Sequence, residues 1–145
     1  MNSVCILIIK IKLRYFVETQ IWRFIMELNI NEIRAEELIR KYGFNFENVP
    51  REDLRLLLQK EIKNFTPGTS SYVRTLCGYL FCIGNIEDAD LITSAKYDIN
   101  FEIGRDIDDQ WIDSLNGFQD EYAENREELI NLFVDECKSY YKIND

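Results

Sequence analysis

"SYVRTLCGYLFCIG", Ser71 to Gly84, reads as a helix whose inner face is Val73, Leu76, Cys77, Leu80 and Phe81. These residues recur at spacings of three and four, the period of one helical stripe. Gly84 tolerates the left-handed conformation that ends a helix. Upstream, "PREDLRLLLQKEIKNF" carries a second stripe of Leu54, Leu57, Leu58, Ile62 and Phe65, and Pro50 suits a first helical turn. The intervening "TPGTSS" reads as a loop ending in capping hydroxyls. Earlier still, Asn31 is placed to cap "EIRAEELIRKYG", which closes at Gly43.

Downstream, Asn85 with Asp88 three residues on reads as a capping box for "IEDADLITSAK". In "DDQWIDSLNG" and the residue before it, Ile107, Trp111 and Leu115 fall four apart. The last helix begins near Asn125, with Glu128 as its capping partner, and shows Leu129, Ile130, Phe133, Val134, Cys137, Tyr140 and Tyr141. Short turns between such stripes predict an all-α body of about six helices in stacked antiparallel hairpins.

Residues 1–25 differ from this pattern. They hold four basic residues against Glu18 alone, whereas residues 26–145 hold 13 basic and 25 acidic residues. In "IKIKLRYF", Ile9, Ile11, Leu13 and Tyr15 alternate with basic residues, which predicts a short strand. "VETQIWRFIMEL" then puts Val17, Ile21, Phe24, Ile25 and Leu28 on one helical face. We divide the chain into a basic extension, 1–25, and a single acidic helical domain, 26–145. The extension either packs on the domain as a strand and helix or lies upstream of a natural start at Met26.

With 145 residues and 46% hydrophobic content, the chain can bury one core. Its net charge of -9 argues against direct nucleic-acid binding, which needs clustered Lys and Arg. No apolar run reaches the roughly 20 residues of a membrane span. The acidic balance suits the cytoplasm, or a basic partner. Cys5, Cys77, Cys82 and Cys137 form no C-x-x-C pair, and they are expected as free thiols in a reducing compartment. The absence of histidine removes Ser-His-Asp and Cys-His catalysis and the usual zinc sites.

The charge is uneven: residues 86–136 carry 16 acidic and three basic residues, centred on "DINFEIGRDIDD", Asp98 to Asp109. As a calcium loop the stretch fails, because Ile103 stands where the sharp turn needs glycine, Arg105 replaces an apolar residue and Asp109 replaces the final glutamate. As a catalytic pair, Asp109 and Asp113 share a helical face, but helix capping by Asp106 and Asp109 accounts for these acids more simply. Ile99, Phe101 and Ile103 alternate with polar residues, which predicts an extended segment with its acidic side outward and Gly104 turning into the next helix. That side is either a solvated face or a docking surface for a basic protein. No catalytic residue, cofactor or metal is assigned, and an enzyme is the least supported class.

"YLFCIGNIEDADLITSAK", Tyr79 to Lys96, resembles one HEAT-like repeat joint. The longer stretch "LCGYLFCIGNIEDADLITSAKYDINFEIGRDIDDQWIDSL", residues 76–115, is similar to the small bacterial immunity proteins of polymorphic or contact-dependent toxin systems. The resemblance implies a protein that binds and neutralises a cognate toxin. Under that reading Asp106, Asp108, Asp109 and Asp113 supply the field that attracts a basic partner. Trp111 is then either the anchor of the interface or a core residue beside Ile107 and Leu115. A helical scaffold or adaptor, with homo-oligomers among its forms, and a nucleic-acid mimic are the alternatives.

Overall fold

The computed structural model describes residues 2–119 and 121–144, the side chains of 26–28 apart. Seven α-helices are seen among these residues: α1 (Ser3–Tyr42), α2 (Arg51–Lys63), α3 (Ser71–Ile83), α4 (Ala89–Asp98), α5 (Phe101–Asp106), α6 (Asp109–Leu115) and α7 (Arg126–Tyr141). Two 3-10 turns, Phe46–Asn48 and Ile86–Asp88, join α1 to α2 and α3 to α4. No strand occurs among the described residues.

The helix read from Ser71 to Gly84 is the centre of the molecule. Ten of its thirteen residues are buried, far more than one stripe requires. The other six helices all pack against or beside it, most extensively α1 and α2. The architecture is therefore a cluster around one interior helix, and differs from a row of stacked hairpins in which each pair meets only its neighbours. Gly78 permits the closest approach: a Cβ there would lie 2.2 Å from the Phe133 ring of α7. Phe133 also meets Tyr79 and Trp111 edge to face, at 5.9 and 5.6 Å between ring centroids. Each such buried aromatic or aliphatic side chain stabilises the fold by roughly 1.5–3 kcal/mol relative to exposure.

Local signals set several helix ends as expected. Gly43 and Gly84 terminate α1 and α3 at positive φ. Pro50 directly precedes α2. Asn125 and Glu128 form the reciprocal capping box of α7. Elsewhere a tertiary partner claims the expected cap. Asp88 does not cap; it is fully buried and holds Arg51 and Arg55 of α2. Ser70 and Ser71 do not cap α3 either, and their hydroxyls donate to Asp106 and Glu32.

The N-terminal segment departs most from expectation. In place of a strand it is helical throughout, and α1 runs unbroken for 40 residues. A lone strand has no neighbour to satisfy its backbone, whereas a helix satisfies its own. Asn31 consequently sits inside α1, not at its start. Its buried amide donates to the carbonyls of Thr66 and Thr69, both at 2.9 Å, latching the α2–α3 loop to α1. Val17, Ile21, Phe24 and Ile25 do not pack on the body, since every side chain from 3 to 25 is exposed. The side chains of Met26 and Leu28 lie outside the described residues. No helix among the described residues is long and apolar enough to cross a membrane.

Candidate functional site

The stretch expected to run extended, 99–103, is mostly helix. Asn100 alone is extended, and its side chain accepts from the Ile103 N–H at 2.9 Å to start α5. Phe101 is thereby turned outward and is 85% exposed, while Ile103 is buried. Gly104 lies within α5, where it lets the helix approach the Lys96 carbonyl.

The five residues expected at the docking ridge are separated by this geometry. Asp108 caps α6 by accepting from the Gln110 N–H at 2.9 Å, the role expected of Asp106. Asp106 ends α5 and faces a cleft, accepting from the Ser70 hydroxyl. Asp109 and Asp113 are exposed one turn apart on α6. Trp111, between them in sequence, is 2% exposed. It stacks on Phe81 at 5.8 Å with an interplanar angle of 8°, and the Arg74 guanidinium lies 5.3 Å from its ring centroid. Of the two roles left open for Trp111, the structure gives it the core one, and it does not serve as an exposed anchor.

The cleft that Asp106 faces has a volume of about 750 Å³ and is formed by α1, the start of α3, α5 and α7. Glu32, Glu102, Asp106, Asp135 and Glu136 line it against a single cation, Arg74. That guanidinium is already engaged by Glu136 at 2.6 Å and by the Asp106 carbonyl at 3.0 Å. Glu32 accepts from the Ser71 hydroxyl at 2.6 Å and the Tyr141 hydroxyl at 3.4 Å. The negative charge of Glu32 raises the Tyr140 pKa; burial, followed by Glu32, raises that of Tyr141. Burial pushes the Cys137 thiol up to about 11, so its nucleophilic thiolate form is suppressed at neutral pH. The cleft offers hydrogen-bond acceptors, which complement guanidinium and ammonium donors. Among the described residues, no group of three His, Cys, Asp or Glu side chains could hold a metal ion.

The fate of the three basic residues within 86–136 explains why this region projects an acidic face. Lys96 is buried, and its ammonium donates to the carbonyls of Gly104 and, at 2.6 Å, Ile107. Arg126 donates to the carbonyls of Phe81 and Cys82 at 3.0 and 2.9 Å, closing the end of α3. Only Arg105 is exposed, beside Asp106 at 3.4 Å. Two of the three cations thus satisfy interior backbone, while Asp90, Asp98, Glu102, Asp109, Asp113, Glu124, Glu127 and Asp135 face solvent.

Exposed aromatic rings share this region and were missed from sequence: Tyr97 at 69%, Phe101 at 85%, Phe118 at 69% and Tyr122 at 91%. Reading Asn100 as a cap would have revealed Phe101, because it then falls off the inward face that contains Ile103. Comparison with protein-family models, curated proteins and solved structures returns no match to this chain.

Proposed function

We propose that this protein is a non-enzymatic protein-binding module of the immunity type, which neutralises a basic partner, a cognate toxin, by docking it on the acidic face built from residues 86–136. The observation that carries this reading is the inward engagement of Lys96 and Arg126 with backbone carbonyls, which leaves Asp90, Asp98, Glu102 and Asp113 exposed around them while Asp109 keeps Lys96 at 3.5 Å. A basic partner supplies the missing countercharge, and such complementarity accelerates encounter and weakens with salt. With Trp111 in the core, Tyr97 and Phe101 become the candidate anchors, since large exposed rings dominate many interfaces. The similarity of residues 76–115 to immunity proteins supplies the toxin as partner. A cytoplasmic location follows from the same reading.

The test is coexpression with basic toxin domains of polymorphic secretion systems, reading growth rescue, followed by association kinetics on the rescued pair. Rescue by the parent chain is expected, with loss on changing Glu102→Gln, Asp109→Asn and Asp113→Asn together, and an association rate that falls as salt rises. Rescue that survives the triple change, or an association rate indifferent to salt, overturns the acidic-face reading. The scaffold alternative draws support from a different observation, the exposed apolar half of α1.

A further inference from the structure

We infer that the exposed half of α1, residues 3–25, packs side by side against the same segment of other copies of this chain. At 1.5 Å per residue this arm is about 34 Å long. It exposes fourteen large apolar side chains, including Tyr15, Phe16, Trp22 and Phe24 at 60–73%. With ~150–250 Å² per aromatic side chain, these four alone present roughly 400–600 Å². That equals the largest apolar patch of a typical monomer, about 300–600 Å², before the ten aliphatic side chains are added. With them the two sides of the arm together reach the scale of a stable interface, about 800 Å² per partner, which neighbours on both seams can bury.

The order of the apolar residues identifies the occupant. Val4, Ile8, Ile11 and Tyr15 follow a 4-3-4 spacing, and Trp22 lies seven residues beyond. Ile6, Ile9, Leu13 and Phe16 follow a 3-4-3 spacing on the other side of the helix. Each is a seam suited to another helix. Lys10, Arg14 and Glu18 form one charged row between the seams, while Lys12 and Arg23 form the second. A helix lying on a lipid surface needs one apolar and one polar face. Here lipid covering one seam would leave the other in water, and the acidic body would repel an anionic bilayer. Neighbouring arms, one on each seam, cover both and leave neither in water.

The charges also fix the salt response. Each arm carries four basic residues and one acidic residue, so arm–arm contact brings like charges together and is strengthened by screening. Docking of an arm on another copy's acidic face would respond in the opposite direction.

Sedimentation velocity of the full chain, over a range of concentrations at low and high salt, tests the inference. The parent is compared with Ile11→Glu plus Tyr15→Glu, with Leu13→Glu plus Phe16→Glu, and with Lys10→Gln on a charged row. All five positions are exposed, so near-UV circular dichroism of the body serves as the folding control. Expected is an assembly larger than a monomer, strengthened by salt, whose dissociation constant rises at least about tenfold in each double variant, and which Lys10→Gln does not weaken. A monomer at every concentration, an assembly indifferent to both seams, dissolution by salt, or a monomer that floats with anionic vesicles would each overturn it.

Discussion

The Lys96 ammonium donates to the carbonyl oxygen of Ile107 at 2.6 Å, and through a second bond to Gly104 it ties α4 to the far end of α5. The joint depends on a charged donor reaching two interior acceptors. Lys96→Met keeps the apolar stem but leaves both carbonyls without their donor and Asp109 without its ammonium at 3.5 Å. The expected cost is about 2–3 kcal/mol, lowering Tm by roughly 6–10 °C, as thermal unfolding by circular dichroism will show. An unchanged Tm would mean that the joint is held by apolar contact.

Gly104 sits in the same joint. A Cβ there would lie 2.6 Å from the Lys96 carbonyl oxygen, a backbone atom that cannot rotate away. Gly104→Ala is expected to destabilise by about 2 kcal/mol or more, because α5 must move off α4. Gly117→Ala provides the comparison, since nothing lies within 4 Å of its Cβ and only its φ of +78° opposes substitution. Its cost should be about 1 kcal/mol. Urea midpoints of the two variants rank the effects.

Asp88 joins α2 to the start of α4 as a buried carboxylate. Arg51 grips it at 2.7 and 3.0 Å, Arg55 contacts it as well, and its hydrogen bond is the leading cause of the raised Arg51 pKa. Asp88→Asn removes the buried countercharge of two guanidinium groups, leaving them only exposed carboxylates, and is expected to cost about 3 kcal/mol. Glu87→Gln, which alters a 74% exposed partner of the same Arg51, should cost less than about 0.5 kcal/mol. Denaturant unfolding of both variants separates buried pairing from exposed pairing.

Burial raises the Cys137 thiol from 9.0 to about 11 and the Cys82 thiol from 9.0 to about 12. Both groups remain protonated in the folded chain at pH values where the unfolded chain ionises. Their contribution to stability is fully present below pH 9 and is lost as pH rises from 9 towards 11 and 12. Urea midpoints should hold between pH 7 and 8.5 and fall at pH 10. In the native state a thiol reagent should titrate one cysteine per chain, Cys5, the exposed one of four free thiols.

The legible parts of the fold were those determined within a few residues. Phe81 and its neighbours on α3 disclosed a helix by spacing alone, as did Trp111 and Leu115 on α6, whereas Ile107, read on the same stripe, lies between α5 and α6. The capping box of Asn125 and Glu128 is closed by two bonds across three residues. The illegible parts depend on distant partners. Asn31 resembles a cap until its acceptors 35 and 38 residues away are seen, and Asp88 resembles one until Arg51 arrives from 37 residues upstream. Charge alone marked the acidic region but not its partition: Asp106 faces a cleft, Asp108 caps, and Asp109 and Asp113 stand outside. The alternation of "IKIKLRYF" predicted a strand because spacing carries no information about whether a second strand exists to pair with it.

The depth of α3 also has a bearing on synthesis. α1 and α2 precede it from the ribosome, but the part of its surface that faces α7 emerges before its cover, with Phe133 following Gly78 by more than fifty positions. At ~5–20 residues per second, that interval lasts roughly 3–11 s. Throughout it, the stickiest helix of the nascent chain stands without its C-terminal cover, so translation speed and chaperone supply bear most heavily on the stretch between Gly84 and Cys137.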